Sequence, residues 1–595
     1  LKETLIDIET YSEVDIGKCG LYRYATDPSF EILLVAWATD EGNGFGETRC
    51  ADLASGEPLP EELLEDFQSG NVRLIAHNAS FERVCFSVHL QRHLPGQYLK
   101  SGEFLSPDSW ICTMVMAASL TLPMALKDVG TVLKTSQQKD KEGERLIKLF
   151  SMPCKPTKSN GMRTRNLPEH YPADWEKFKY YCIQDVNTEV DIYKRLKKFP
   201  MPEQEWKHYR VNERINDRGV KIDTELVQQA IACDLMLSDA MSKKAYELTG
   251  LENPNSVSQL KAWLDERGIP MDTLGKKDVA QMIDELDKNG VDAEAMDMLK
   301  LRLQMAKSSV KKYQAAERCV CSDGRARGLF QFYGASRTGR YSGRNIQLQN
   351  LPQNHISTLD EARELVKLGC FDMVETIYGN TPDVLSQLIR TMLIPREGCE
   401  FIVADFSAIE ARVLAWEAGE DWRLEAFLEG KDIYCASASQ MFHVPVVKHG
   451  INGELRQKGK VAELACGYGG SSGALISMGA LQMGLKEEEL PEIIDSWREA
   501  NPKIVQYWWD VEKAATQAFK TGKRQEIGKL AFEFYSGTLW MLLPSGRKLA
   551  YLKPRLQPNR FGRMSLTYEG VGQNHKWARQ ETYSGRLVEN ATQAI

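Results

Sequence analysis

Three short apolar runs near the N-terminus, separated by turn and helix patterns, most constrain the fold of this 595-residue chain. They cover residues 5–8, 32–37 and 72–76. Runs of this length are typical of buried strands. Helical patterns follow, for example from Trp175 to Leu196. Strands that alternate with helices predict an α/β domain over residues 1–200, which ends where Pro200 and Pro202 interrupt the pattern.

The rest of the chain changes character twice. The residue pattern is helical at 203–318 and 408–520. It is strand-like at 328–333, 401–404 and 530–571, with a turn at 544–546. The pattern predicts a helical arm followed by an α+β part. No apolar run reaches the length of about 18 residues that a membrane span requires. The thirteen cysteines are scattered, which favours reduced thiols in a cytosol.

Charge is distributed unevenly. The net charge of −7 argues weakly against nucleic acid as a partner. Between Asp323 and Asp360, however, five arginines occur without a single acid, and Lys307, Lys311 and Lys312 precede them. A second basic stretch runs through Lys553, Arg555, Arg560, Arg563, Lys576 and Arg579. The stretches indicate a track for a polyanion, with Phe332, Tyr333 and Tyr341 able to stack. The alternative is a solvated loop with chance clustering.

Acidic residues follow two of the predicted strands and occupy one predicted helix. Asp7 and Glu9 are two apart on a strand, so their carboxylates face the same side. Asn78 and Glu82 follow another strand. Tyr181 and Asp185 are four apart on one face of the long helix. Neighbouring carboxylates repel each other unless a cation lies between them.

This order of D-x-E, N-x-x-x-E and Y-x-x-x-D resembles the DEDDy class of 3′→5′ exonucleases, the proofreading type. The resemblance implies that Asp7, Glu9 and Asp185 hold two Mg²⁺ ions, with Mn²⁺ as a possible substitute. It implies that Tyr181 orients the attacking water. Glu82 stands where the class usually has Asp, and is expected in a supporting role. The alternative is an inactive relic of the fold.

A second acidic motif begins at Asp405, which ends the predicted strand 401–404. Ser407, Ile409, Glu410 and Arg412 follow. This run resembles motif A, D-x-S-x-I-E-x-R, of family A DNA polymerases, the DNA polymerase I type. The resemblance implies that Asp405 is a catalytic metal ligand of the palm, with two metal ions expected there as well. It implies that Glu410 blocks a ribose 2′-OH and so favours dNTPs over rNTPs.

Arg456, Lys460, Leu464 and Tyr468 recur every four residues, which predicts one broad face of a helix. The spacing resembles motif B of the same family, on the fingers helix. Arg456 and Lys460 would then bind the triphosphate of the incoming dNTP, and Tyr468 would lie near the template base. Leu464 replaces the aromatic residue of the family. Tyr434 corresponds to a position where the family often has a phosphate-contacting His.

Several further residues are expected to contact primer-template DNA because the segments around them resemble those of the family. They are Arg340, Gln347, Gln349 and Asn350 within 336–352, Asn255 and Lys311 in the thumb region, and Arg586 and Gln593 near the C-terminus. Arg340 would contact the primer terminus in the minor groove. Contacts of this kind check base pairing through shared acceptors without reading sequence.

The resemblance extends over the whole chain and implies an RNase H-like α/β exonuclease with a mixed sheet, followed by a right-hand polymerase. The expected parts are an exonuclease at 1–200, thumb and connector at 201–327, a first palm part at 328–430, fingers at 431–525 and a second palm part at 526–595. The plan lacks a 5′ nuclease domain and looks most like bacteriophage or prophage members, which implies a cytoplasmic protein of a bacterial or phage-infected cell. No processivity partner can be identified.

The His-Asp-Glu of motif C, which supplies a second palm aspartate in the family, does not occur in these 595 residues. We therefore expect a segment beyond Ile595 to carry it, and weak or no synthesis by the chain as given. The leading hypothesis is a DNA polymerase with proofreading. The alternatives are an exonuclease-active, polymerase-impaired fragment or one piece of a split polymerase, and a non-enzymatic DNA-binding replication accessory.

Overall fold

The computed structural model describes residues 1–135, 141–289, 292–305, 310–335, 337–481, 483–559, 561–572 and 576–595. Lys307 and Arg560, two cations of the predicted polyanion track, lie outside the described residues. None of the helices in these ranges combines the length and the apolar character that crossing a bilayer requires.

The first 200 residues form a five-stranded sheet with helices packed against it. The strands are β1 (Lys2–Tyr11), β2 (Glu31–Asp40), β3 (Arg49–Asp52), β4 (Val72–Ala76) and β5 (Trp110–Cys112). The helices are α1 (Ile16–Cys19), α2 (Leu21–Thr26), α3 (Glu61–Gln68), α4 (Ser80–His93), α5 (Thr113–Ser119), α6 (Leu126–Leu133), α7 (Lys141–Phe150) and α8 (Pro172–Leu196). The strand order is β3-β2-β1-β4-β5, with β1 antiparallel to β2 and parallel to β4.

Strand β1 is the centre of this sheet and is buried almost throughout, because helices cover both faces. Helix α8 begins with Pro172 at its first position, where a missing N–H costs no hydrogen bond. Its buried residues Phe178, Cys182 and Val186 recur every four residues and form the face directed at the sheet. The central strand and this helix together position the acidic residues discussed below.

The middle of the chain is mainly helical. Its helices are α9 (Glu203–Arg218), α10 (Thr224–Thr249), α11 (Val257–Glu266), α12 (Lys276–Asn289), α13 (Ala293–Met305), α14 (Lys311–Cys319), α15 (Leu359–Lys367), α16 (Phe371–Tyr378) and α17 (Thr381–Leu388). Short strands β6 (Val220–Ile222), β7 (Arg325–Ala326) and β10 (Leu393–Ile394) form one sheet, and β8 (Phe330–Ala335) with β9 (Arg340–Gly343) forms a hairpin. Residues 245–301 bury a hydrophobic core of their own, around Leu260 and Met298.

The last part places a helical region beside a six-stranded antiparallel meander. The helices are α18 (Ile409–Ala418), α19 (Asp421–Leu428), α20 (Ile433–Phe442), α21 (Leu455–Cys466), α22 (Ser472–Ser477), α23 (Leu490–Ala500), α24 (Pro502–Thr521) and α25 (Ser584–Ala594). The strands are β11 (Gln525–Ile527), β12 (Leu530–Tyr535), β13 (Thr538–Leu542), β14 (Lys548–Pro558), β15 (Met564–Val571) and β16 (Trp577–Glu581), paired in chain order. One core joins this sheet to α21, α24 and α25.

The predicted strand at 401–404 is wrong. Residues 399–406, all of them described, form neither helix nor strand. Ile402 and Val403 are 91% and 89% exposed, although both favour strands. A strand needs a hydrogen-bonding partner for its backbone, and an apolar run without one has no reason to hold the extended form. The other strand-like runs, at 5–8, 32–37 and 72–76, lie within β1, β2 and β4 as predicted.

Two aromatic residues predicted to stack on DNA are instead part of the protein core. Phe332 is 5% exposed and Tyr333 is 1% exposed. Phe332 packs edge-to-face on Tyr209, at a ring-centroid distance of 5.9 Å. Of the three aromatic residues predicted to stack, only Tyr341 is exposed. Side chains alternate between the two faces of a strand, so alternation in β8 would bury only one of these neighbours. Both Phe332 and Tyr333 are buried because the hairpin packs against α9 at this point.

A buried charge cluster joins α4 to α9. The Arg83 guanidinium is 1% exposed and donates to both carboxylate oxygens of Asp217 at 2.9 Å. It also donates to Glu213 at 3.0 Å. Tyr22 and Ser80 donate further hydrogen bonds to these two carboxylates. Both carboxylates share the one guanidinium and accept further hydrogen bonds, which offsets part of the cost of removing these charges from water.

Glu417 on α18 gives the C-terminal core a pH-dependent stability. Its carboxylate is buried, and burial raises the pKa to about 7, although Thr592 and Tyr507 donate hydrogen bonds to it. The unfolded carboxyl loses its proton near pH 4.5, whereas the folded one keeps it up to about pH 7. Stability from this group is therefore complete below pH 4.5 and is lost as pH rises through 7.

We expect Glu417→Gln to be more stable than the wild type at pH 8, by up to about 3 kcal/mol, and close to it at pH 5. Urea unfolding at both pH values measures the difference. Glu425→Gln removes a carboxylate from the exposed side of α19 and should change the free energy of unfolding by less than about 0.5 kcal/mol at either pH. Equal changes in the free energy of unfolding for the two variants would contradict the raised pKa of Glu417.

Candidate active sites

Three carboxylates meet at the centre of the first sheet. The oxygens of Asp7, Glu9 and Asp185 lie within 4.8 Å of one another. Asp7 and Glu9 project from the same side of β1, and Asp185 reaches them from α8. Residues 178 apart in the chain are therefore brought together by the packing of one helix on one strand.

Two further buried carboxylates lie beside the three. Glu82 on α4 is 3% exposed, and burial and then the charge of Asp7 raise its pKa well above the usual value. Its Oε2 has no hydrogen-bond partner among the described residues. Glu189 is 1% exposed, accepts a hydrogen bond from Thr113 at 3.0 Å, and has a pKa raised by burial and by Asp7. Five acids thus lie close together, and burial and the charge of Asp7 favour the protonated forms of Glu82 and Glu189.

Such a set suits a hard divalent cation. Carboxylate oxygens are the ligands that Mg²⁺ and Mn²⁺ prefer, and mutual repulsion of close carboxylates is relieved by a cation between them. Glu82, whose Oε2 lacks a hydrogen-bond partner among the described residues, lines the same cavity as the three carboxylates. The residues present therefore fit a divalent metal site.

Tyr181 lies one turn before Asp185 on α8 and is 6% exposed. Burial and the nearby charge of Asp185 raise the pKa of its phenol, so the hydroxyl stays protonated. Its ring stacks on Phe178, at 6.3 Å between centroids, and lies against Gly143 of α7. A Cβ at Gly143 would overlap the Tyr181 ring, so α7 can approach this closely only with glycine at that position.

A cavity of about 750 Å³ opens onto the three carboxylates. Its polar lining includes Asp7, Glu9, Asp185, Tyr181 and Asn78. Its apolar lining comes from Ile8, Phe81, Leu126, Ile147 and Met152. A cavity of this volume is in the range that takes ligands of nucleotide size, with apolar walls for a base and acids at one end.

A second cluster forms at the start of α18. Arg340 of β9 pairs with Glu410 at 2.7 Å, and the Tyr468 hydroxyl lies 3.5 Å from the other oxygen of Glu410. A cavity of about 360 Å³ is lined by Glu410, Tyr434, Leu464 and Tyr468, among others. Four of the six residues predicted to bind a dNTP thus line one cavity, and Arg340, which is predicted to contact DNA, pairs with Glu410 in its lining.

Helix α21 carries Arg456, Lys460 and Leu464 but not Tyr468, because the helix ends at Cys466. The prediction that all four share one helical face is therefore wrong for Tyr468. The N-terminus of α25 packs on the turn after α21, and a Cβ at Gly585 would overlap the Tyr468 carbonyl. Arg456 pairs with Asp432 at 2.8 Å and lies over the Tyr434 ring, 5.1 Å from its centroid. Lys460 is half-buried and Leu464 is 44% exposed.

Asp405 lies on the exposed segment 399–406, immediately before α18. Among the described residues, it takes no part in a cluster of three or more potential metal ligands. Ala408, which precedes the helix, adopts a left-handed backbone with φ of 51°. This strained residue turns the chain sharply between Asp405 and Glu410.

The residues predicted to contact DNA lie in separate parts of the chain. Gln347 has a left-handed backbone and accepts a hydrogen bond from Asn350 at 3.2 Å, while Gln349 packs on Gly343. In the helical arm, Asn255 accepts a bond from Arg302 at 3.2 Å and Lys311 is exposed at the start of α14. On α25, Gln593 donates to Glu589, and Arg586 is half-buried.

Glu189 is the residue of the first site that sequence reasoning missed. Tyr181, Asp185 and Glu189 follow one another at intervals of four on α8. This spacing continues one helical face and could have pointed to Glu189. Arg83, next to Glu82, has no comparable signal, because its partners lie 130 and 134 residues away.

Comparisons with known proteins agree with one another. The family model described as DNA polymerase family A matches residues 229–527. A DNA polymerase of Bacillus phage SP02 is 52% identical over 596 residues, which covers 100% of this chain and 89% of that protein. DNA polymerase I of Geobacillus stearothermophilus is 27% identical over 303 residues, covering 50% of this chain and 31% of that protein.

Among solved structures, the POL domain of Pol1 from M. smegmatis, in complex with DNA primer-template and dNTP, is similar with a TM-score of 0.55 and 16% identity. The match covers 100% of this chain and 81% of that chain. At this identity the likeness concerns the fold alone. The predicted fold class is confirmed: an α/β domain with a mixed sheet precedes a polymerase fold.

Proposed function

The chain belongs to DNA polymerase family A, and on that premise we propose that it combines template-directed DNA synthesis with 3′→5′ removal of nucleotides from the primer end. The observation that carries the second activity is the meeting of Asp7, Glu9 and Asp185 at the floor of a nucleotide-sized cavity. The partners that follow from this proposal are primer-template DNA and dNTPs.

In the proposed exonuclease site, Asp7, Glu9 and Asp185 hold divalent metal, with Mg²⁺ as the physiological ion and Mn²⁺ as a substitute. Divalent metal held by these residues would supply activation of the attacking water and stabilisation of the leaving oxygen. Tyr181 keeps its phenol proton and orients the water by a hydrogen bond. Glu82 supplements the charge from α4. The apolar walls of the cavity exclude bulk water from the terminal base.

In the proposed polymerase site, Arg456 and Lys460 on α21 bind the triphosphate of the incoming dNTP. Arg456 would exchange its pairing with Asp432 for the phosphates, because a guanidinium pairs with phosphate as readily as with carboxylate. Asp405 provides a palm carboxylate for metal. Leu464 and Tyr468 line the space for the nucleotide and the template base. Arg340, Gln347, Gln349, Asn350, Asn255, Lys311, Arg586 and Gln593 bind primer-template DNA.

Degradation of a labelled single strand tests the exonuclease proposal. A 5′-labelled oligonucleotide should be shortened stepwise from its 3′ end in the presence of Mg²⁺ or Mn²⁺. Chelation of divalent ions with EDTA should stop the reaction, and added Mg²⁺ should restore it. An oligonucleotide with a blocked 3′ end serves as the control. No shortening by a folded protein in either metal would refute the proposal.

We expect Glu410→Ala to incorporate rNTPs about tenfold to a hundredfold more readily relative to dNTPs, because the carboxylate no longer opposes a 2′-OH. Single-nucleotide primer extension with matched rNTP and dNTP measures the ratio. Glu425→Ala, an exposed acid on the neighbouring helix α19, is the matched control and should keep the wild-type ratio. An unchanged ratio in Glu410→Ala would remove Glu410 from sugar selection.

A further inference from the structure

Two cysteines lie opposite each other behind the acidic cluster. Thr48, just before β3, bonds to Asn187 at 2.7 Å, and Asp52 at the end of β3 accepts from Trp175 at 2.7 Å. Residues 48, 50 and 52 share one face of an extended strand. The residue between these two anchors is Cys50, and the part of α8 between Trp175 and Asn187 that faces the sheet contains Cys182.

Cys50 and Cys182 are neighbours where β3 packs on α8, and each shifts the pKa of the other. The pKa of Cys50 is lowered by Cys182, and that of Cys182 is raised by Cys50 and then by burial. Cys50 is half-buried, whereas Cys182 is fully buried. The pair thus has one accessible thiol and one thiol that is reached only through the first.

Cys182 also contacts the proposed metal site. Its Sγ lies 3.7 Å from Oδ2 of Asp7 and 3.9 Å from the Asp7 carbonyl oxygen. It follows Tyr181 directly and precedes Asp185 by one turn of α8. Any change in the covalent state of Cys182 therefore acts on Asp7 and on the helix that carries two other residues of the site.

We propose that Cys50 and Cys182 form a reversible disulfide under peroxide and that this bond inhibits the exonuclease site; the inhibitory part rests on the exonuclease function proposed above. The Cys50 sulfur attacks one peroxide oxygen, the O–O bond breaks, and a sulfenic acid and one water form. The Cys182 sulfur then attacks the sulfenic sulfur, which forms the S–S bond and releases a second water. Two thiols lose two electrons in total, and the peroxide gains them.

Inhibition follows from the loss of the Cys182 proton. A disulfide sulfur has no proton to donate, so the Asp7 carboxylate loses its contact with a donor. The bond also draws the Cys182 side chain toward β3 and away from Asp7. Removing a group that orients a metal ligand typically costs about tenfold or more in activity.

Peptide mapping and an activity assay test the two parts separately. The full chain is treated with hydrogen peroxide, its remaining thiols are alkylated, and its peptides are analysed by mass spectrometry. We expect a linked peptide that contains Cys50 and Cys182, a loss of about tenfold or more in degradation of a 3′ end, and recovery of both by dithiothreitol. Absence of the linked peptide overturns the inference, whatever the activity.

Variants separate this pair from general oxidation. Cys50→Ser should keep the activity of the reduced wild type and lose its sensitivity to peroxide, and Cys50→Ala provides a second form of the same test. Cys399→Ser removes an exposed thiol and should remain sensitive. A linked peptide without loss of activity would overturn the inhibitory role. A reduced wild type without exonuclease activity would instead overturn the proposed function and the inhibitory role with it, while the peptide map still decides whether the disulfide forms.

Discussion

Replacing Asp7 by asparagine should reduce 3′→5′ exonuclease activity by about a thousandfold or more, which corresponds to ~4 kcal/mol of transition-state stabilisation. Asn keeps the size of Asp but removes the negative charge at the point where three carboxylates meet within 4.8 Å. The site would then bind divalent metal poorly and stabilise less charge in the transition state. Single-turnover degradation of a 5′-labelled strand at several Mg²⁺ concentrations measures the effect.

The matched control is Glu13→Gln, which neutralises an exposed acid that lines the same cavity outside the three-carboxylate cluster. It should stay within about twofold of the wild type, because it removes charge without removing a metal ligand. A loss in Glu13→Gln as large as in Asp7→Asn would indicate a general electrostatic effect. Near-normal degradation by Asp7→Asn would rule out the proposed site.

Replacing Arg83 by methionine should destabilise the protein by about 3–5 kcal/mol, the second large effect we expect. The guanidinium is 1% exposed and pairs with both Glu213 and Asp217 across the junction of α4 and α9. Methionine fills much of the same space but leaves two carboxylates without their cation. Urea unfolding, followed by tryptophan fluorescence and by protection of the α4 amides from exchange, measures the loss.

A pair whose cation is exposed provides the comparison. Arg73 pairs with Glu3 at 3.4 Å, and its side chain is 51% exposed. Arg73→Met should therefore cost less than about 1 kcal/mol. Adding Glu213→Leu to Arg83→Met should restore part of the stability, since one uncompensated buried charge is removed. An Arg83→Met variant as stable as Arg73→Met would contradict the role of the buried cluster.

The first sheet and its acids were largely predictable from short-range patterns. A period of two placed Asp7 and Glu9 on one side of a strand, and a spacing of four placed Tyr181 and Asp185 on one face of α8. These periodicities survive in the fold because β1 is central and α8 packs along it. No local pattern predicts that β1 and α8 meet. That expectation came from the resemblance to known motifs.

Local patterns failed where neighbours decide the outcome. The apolar run at 401–404 has strand composition but no strand to pair with among the described residues. Tyr468 continues the four-residue spacing of α21, yet the helix ends at Cys466 and α25 packs on the turn that follows. Phe332 and Tyr333 resembled a stacking surface, and packing against α9 buried them.

By itself, the sequence determined which residues can carry the chemistry and on which face of an element each of them lies, because the periods of strands and helices are local properties of the backbone. Only the tertiary structure decided which of those faces meet. It joined Glu189 to the acids, Arg83 to Glu213 and Asp217, and Cys50 to Cys182. These contacts connect residues far apart in the chain, and their energies depend on burial and on charges that no stretch of sequence contains.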